Sequence, residues 1–170
     1  ENGKELWSDS LAGGRKTSST TTLNTIRGRP IIDRGLVFVI SNSGQFAAIN
    51  LRTGKRIWER NIGSIESPWI AGNFIFILTN NSELVAVSRQ KGEIYWVTYL
   101  SKWQDRDDKI GRILWTGPVL ASDRIIVTSS IGEALSISPY SGRVLGKVEM
   151  PDGVTIGPII ANGSVFFLSD

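Results

Sequence analysis

Pro30-Ile31-Ile32-Asp33-Arg34-Gly35-Leu36-Val37-Phe38-Val39 recurs three times further along the chain. The later copies are Pro68-Trp69-Ile70-Ala71-Gly72-Asn73-Phe74-Ile75-Phe76-Ile77, Pro118-Val119-Leu120-Ala121-Ser122-Asp123-Arg124-Ile125-Ile126-Val127 and Pro158-Ile159-Ile160-Ala161-Asn162-Gly163-Ser164-Val165-Phe166-Phe167. Each has a Pro, an apolar pair, a turn and an apolar run. Five residues after each Pro stands Gly35, Asn73, Asp123 or Gly163, types that tolerate the left-handed backbone of a tight hairpin. Twenty-four residues after the first three stands Gly54, Gly92 or Gly142. Repetition at a fixed offset is the signature of a repeat architecture.

Each full unit reads as four short strands. In the first unit they fall at about 30–33, 36–41, 45–50 and 55–60, with turns at Arg34-Gly35, Asn42-Ser43-Gly44 and Arg52-Thr53-Gly54. The second strand of a unit, such as Phe74-Ile75-Phe76-Ile77-Leu78, is apolar throughout, so both of its faces must be covered. Four-stranded units of this length stacked face to face make a β-propeller, an all-β fold of antiparallel blades. No segment carries a capped 3.6-residue period, so little helix is expected.

The Pro-to-Pro distances of 38, 50 and 40 residues place an insertion in the middle interval. The expected organisation is the outer strand of a truncated blade at 1–11, a polar inter-blade loop at 12–29, and blades at 30–63, 64–100 and 114–150. Residues 101–113 form an inter-blade insertion, and 151–170 hold the first strands of another truncated blade. Gly3-Lys4-Glu5-Leu6-Trp7 matches Gly54-Lys55-Arg56-Ile57-Trp58, the start of a fourth strand. The sequence therefore reads as a piece of a longer protein.

Composition narrows the chemistry. The chain has no His and no Cys. The commonest general base near neutral pH is missing, as are thiolate nucleophiles, disulfides and the commonest metal ligand. A Ser-His-Asp triad cannot be assembled. The net charge is +3, but its cations are scattered and do not interleave with aromatics, so no nucleic-acid role is expected. No apolar run reaches the length of a membrane helix.

Ala48-Ile49-Asn50-Leu51-Arg52-Thr53-Gly54-Lys55-Arg56-Ile57-Trp58 resembles the tryptophan-docking signature of the quinoprotein (PQQ-like) propeller repeat, and Ala86-Val87-Ser88-Arg89-Gln90-Lys91-Gly92-Glu93-Ile94-Tyr95-Trp96 resembles it again. The third copy keeps Gly142 but has Gly146 in place of the Trp, so that docking contact is lost. From about Trp7 to the end, through the long insertion before Trp115-Thr116-Gly117-Pro118 and the final Gly157-Pro158 unit, the chain resembles one family. It is that of the BamB-like lipoproteins of the bacterial outer-membrane β-barrel assembly machine, in their C-terminal half.

That resemblance implies part of an eight-bladed ring in the periplasm, lipid-anchored to the outer membrane upstream of this segment. Such a ring is non-catalytic, needs no cofactor or metal, and binds the machine's central barrel subunit and unfolded outer-membrane clients. Trp7, Trp58 and Trp96, with Gly54, Gly92 and Gly142, are expected to dock blade on blade. Asn24, Arg27 and Arg29 are candidate partner-binding residues. The family carries acidic residues in this region, whereas Thr25 and Arg27 stand here, so those carboxylates are not carried over.

Two alternative functions use the same repeat. One is the propeller of a PQQ-dependent dehydrogenase, which needs calcium, a carboxylate base and a vicinal disulfide, the last excluded by the absence of Cys. The other is the sensing propeller of a membrane kinase. Asp105-Arg106-Asp107-Asp108 departs from an EF-hand, because Lys109 takes a ligand position and Ile110 the place of the Gly. A solvated loop is expected there. Gly13-Gly14-Arg15-Lys16-Thr17 lacks the Gly before Lys of a phosphate loop. Self-association is also expected, with two copies head to tail and Trp7 at the junction beside residues 158–168.

Overall fold

The computed structural model describes residues 4–9, 11 and 26–169. The chain divides into two compact units, Glu1–Ser67 and Pro68–Asp170. Among the described residues every regular element is a β-strand.

The first unit holds one antiparallel sheet of β1 (Ile31–Asp33), β2 (Leu36–Ile40), β3 (Phe46–Asn50) and β4 (Arg56–Arg60), in that spatial order. Arg34 and Gly35 both have positive φ and close the first hairpin. Val37, Phe38, Val39 and Ile40 are all buried, so β2 has no solvent face. Val37, Val39, Ala47 and Ile49 form one core face with Leu11, and Trp7 packs against it. Phe38 and Phe46 lie on Trp58, with ring centroids 6.0 and 5.0 Å away.

The second unit repeats the design. Its first sheet is β5 (Trp69–Ala71), β6 (Phe74–Leu78), β7 (Glu83–Ser88) and β8 (Ile94–Tyr99). A hairpin of β9 (Trp103–Asp105) and β10 (Ile110–Arg112) follows. The next sheet is β11 (Trp115–Ala121), β12 (Arg124–Ser129), β13 (Glu133–Ile137) and β14 (Val144–Glu149), and β15 (Ile159–Ala161) pairs with β16 (Ser164–Phe166). Phe76, Leu84 and Ala86 of one sheet share a single core with Trp115, Ile125, Val127 and Ile137 of the next. Four-stranded antiparallel sheets in sequential order, stacked through apolar faces, are the building unit of a β-propeller.

All three full sheets break register at one place. Between the third and fourth strands the pairing slips after Ala48, Ala86 and Ser136. Ile57, Tyr95 and Leu145 are thereby left without a partner opposite them and are about half exposed. A bulge bends its strand and re-aims the neighbouring side chain, here the residue at position 58, 96 or 146.

One expectation needs correction. The repeat pattern places an outer strand over residues 1–11, but the described residues 4–9 and 11 form no strand. A strand exists only through its ladder, and these residues are held by side chains instead. The 101–113 insertion contains the β9–β10 hairpin, and the loop expected at Asp105–Asp108 lies at its exposed turn. Asp105 Oδ1 accepts the backbone N–H groups of Asp107 and Asp108, both at 3.0 Å, which closes its turn. The carboxylate is thus occupied in local structure.

Candidate functional site: tryptophan–glycine contacts and a cationic hairpin groove

The turn between third and fourth strands is built alike in each full sheet. Gly54 N–H donates to Asn50 O, Gly92 N–H to Ser88 O and Gly142 N–H to Ser138 O, at 2.7–2.9 Å. The three glycines have φ of +69°, +65° and +71°, a region L side chains enter at a cost. The residue opening each turn also caps it with its side chain. Asn50 Oδ1 receives the N–H groups of Arg52 and Thr53, Ser88 Oγ that of Lys91, and Ser138 Oγ those of Tyr140 and Ser141.

Onto two of these turns a tryptophan settles. Trp7 Nε1 donates to Leu51 O at 2.8 Å, and its ring lies 2.8–2.9 Å from where a Cβ on Gly54 would stand. Trp96 Nε1 donates to Pro139 O at 3.1 Å, and its ring lies 2.7–2.9 Å from the corresponding point on Gly142. Leu51 and Pro139 hold the same place in their turns, one residue after the cap. Trp58 is 8% exposed and rests on Phe38 and Phe46. Gly92 is buried at its turn.

Two residues beyond each docked tryptophan is a polar anchor. Thr98 Oγ1 donates to Gly142 O at 2.6 Å. Asp9 instead receives Arg56 through Nε and Nη2, at 2.8 and 2.5 Å, while Nη1 donates to Glu59. The Arg56 hydrogen bond and charge hold the Asp9 carboxyl below its ordinary value, and the Arg56 guanidinium is raised in turn by Asp9 and Glu59. Nothing in the sequence signalled this pair, which spans 47 positions.

Trp7 is therefore seated on Gly54 of its own chain. Of the candidate partner-binding residues, Asn24 lies outside the described residues. Arg27 and Arg29 are exposed on either side of buried Gly28, and the Arg29 backbone N–H donates to Ser67 Oγ at 3.0 Å.

Sequence reasoning missed a groove of about 600 Å³ beside the β9–β10 hairpin, lined by Tyr99, Leu100, Ser101, Lys102, Trp103, Gln104, Arg106 and Lys109. A second hollow of about 340 Å³ lies where the third sheet lacks its tryptophan. Phe38–Ala48–Trp58 and Phe76–Ala86–Trp96 run across the first two full sheets, and Ile126–Ser136–Gly146 runs across the third. Every residue of that row is smaller or more polar than its counterparts: Ile126 and Gly146 are smaller, and Ser136 is more polar. Among the described residues no three potential Asp, Glu, His or Cys ligands gather to hold a metal.

The repeating sheets and their glycine turns define a β-propeller protein of the PQQ-like repeat class. A family model described as outer membrane protein assembly factor BamB matches residues 1–98, and the chain belongs to that family. It is 25% identical to outer membrane protein assembly factor BamB of Escherichia coli (strain K12), over 97% of this chain and 40% of that protein. The crystal structure of BamB from Moraxella catarrhalis superposes with a TM-score of 0.71 at 18% identity, over 85% of this chain and 41% of that one. The dehydrogenase subunit of the quinone alcohol dehydrogenase of Acetobacter aceti is 24% identical over 93% of this chain, but over only 19% of its own length. The chain spans about two fifths of the BamB relatives it matches.

Proposed function

We propose that this protein is a non-catalytic scaffold for outer-membrane protein assembly. It works in the periplasm, held at the outer membrane by a lipid upstream of this segment, and binds the central barrel subunit of the assembly machine together with unfolded clients. The reading rests on one observation above the others: the family match over residues 1–98 covers Trp7 and the Gly54 turn on which it sits, together with Trp58 and Trp96. The mechanism is presentation. The sheets form a rigid support, and the exposed segments around them, with Arg27 and Arg29 and with Asn24 in the sequence before them, meet the partner.

Deleting the gene and quantifying β-barrel proteins in outer-membrane fractions tests this reading. Their depletion is expected, and restoration by the wild-type gene. Unchanged amounts would overturn it. The rival, a quinone-dependent dehydrogenase, draws support from the Acetobacter relative. It predicts that the full-length protein reduces a dye when given PQQ, calcium and an alcohol.

A further inference from the structure

The β9–β10 hairpin is held on a rigid base. Ile113 N–H donates to Lys102 O at 2.9 Å, Leu100 N–H to Ser82 O at 2.9 Å, and Trp115 Nε1 to Ser101 O at 2.8 Å. Leu100, Ile113 and Trp115 belong to the core shared by two sheets. Gly111, at φ +68°, lets Gln104 close to 3.0 Å of where a Cβ would stand, so the two strands pack tightly. The hairpin is thus a fixed projection.

The groove beside it is lined by one sign of charge. Lys102, Arg106 and Lys109 line the groove, and no carboxylate does. None of the three makes an ion pair among the described residues. Asp105 is taken up by its own turn, and the exposed Asp107 and Asp108, adjacent in sequence to Arg106 and Lys109, do not line the groove. Lys109 holds φ +55°, a conformation better suited to Gly or Asn, so a cation is kept at a position that local geometry disfavours. Beside the cations stand Trp103, half-buried, and Tyr99, 77% exposed.

We propose that this groove docks an acidic, extended segment of a partner polypeptide. Three cations without partners attract carboxylates, and desolvated contacts to them add specificity and on-rate. Tyr99 and Trp103 offer flat apolar surface to the side chains between those carboxylates. A volume of about 600 Å³ is that of a ligand site several side chains deep, larger than a single anion fills. The site deepens the scaffold reading, on which it rests, by naming the chemistry of one partner.

The test titrates the full-length protein with a fluorescein-labelled peptide alternating Glu with Leu and Phe, alongside the same peptide with Lys for Glu. The acidic peptide is expected to bind and the basic one not, with affinity falling as salt rises past the point where the Debye length shrinks below about 10 Å. The variant K102Q/R106Q/K109Q should lose at least about tenfold in affinity, as expected for removing several charge-assisted contacts. K102E/R106E/K109E should prefer the basic peptide, while R143E, whose residue does not line the groove, should behave as wild type. Circular dichroism and the thermal midpoint establish that each variant is folded.

Equal binding of the acidic peptide by wild type and the neutral variant would overturn the proposal. So would loss in that variant of binding to phosphatidylglycerol vesicles alone, since the groove would then serve a lipid surface. Cellular complementation separates this from the wider reading. If gene deletion depletes outer-membrane barrels and the neutral variant restores them while binding peptide like wild type, the groove proposal falls and the scaffold stands. If the variant loses the peptide but deletion leaves barrels unchanged, the groove stands and the scaffold falls.

Discussion

Gly54 and Gly35 share a left-handed backbone, yet only one of them is crowded. At Gly35, φ +78°, a Cβ would meet open space, whereas at Gly54 it would strike the Trp7 ring. Replacing Gly35 with Ala is expected to cost only the left-handed penalty, about 1–2 kcal/mol. Replacing Gly54 should cost at least about 1 kcal/mol more, because the indole must also move. Equal losses in urea titrations of the two variants would show that Trp7 is not seated there in solution. Trp58 and Trp96 belong to the same scale. Truncating Trp58 to Ala should cost about 3–5 kcal/mol, the range for buried large aromatics, and truncating the half-buried Trp96 less. A loss below about 1 kcal/mol would mean an exposed ring and would reopen a ligand-stacking role.

Segment 4–9 has no ladder, so its attachment rests on Trp7 and on the Asp9–Arg56 pair. A bidentate pair with a partly covered carboxylate should contribute about 1 kcal/mol. Asp9 is held below its ordinary carboxylate value of 3.8 when folded. Its stabilisation is therefore fully present above about pH 4, the unfolded value, and is lost as pH falls through the lower folded value. Asp9→Asn should be less stable than wild type at pH 7 and indistinguishable from it well below pH 3, about one unit under the unfolded value. A constant difference across that range, by chemical denaturation, would contradict the assignment. In the third sheet, the row Ile126–Ser136–Gly146 leaves a hollow where its sister sheets carry an aromatic row. Filling it with S136A/G146W should raise the denaturation midpoint, by about 1 kcal/mol of stability, as cavity filling commonly does. Unchanged or lower stability would mean that the hollow is occupied by other means.

At the scale of the molecule, apolar side chains remain uncovered at one end of the second unit. Val148 of β14, Ile159 of β15 and Phe166 of β16 are each more than half exposed. Isolated apolar residues on a surface need no account, but a run of them across adjacent strands does, and unpaired strand edges invite another chain. The 170-residue chain on its own is expected to self-associate through these strands, with Trp7 remaining on Gly54. Sedimentation over a wide concentration range checks this. A species of 18.7 kDa at every concentration would rule it out.

Strands and turns were legible in the sequence because their causes are local. Gly35, Gly54, Gly92 and Gly142 take positive φ within a few residues of a strand end, and an apolar run such as Phe74–Leu78 can only be a strand covered on both faces. That the tryptophans recur four residues after a turn glycine was legible as well. What each indole meets was not. Trp7 finds Leu51 O and Trp96 finds Pro139 O across more than forty residues, and the bulge that aims Trp96 depends on how two strands pair. The Asp9–Arg56 pair and the hairpin groove escaped for the same reason. A sequence records which groups are present and their local preferences, whereas partnership between distant groups is decided only when the stacked sheets bring them within hydrogen-bonding reach.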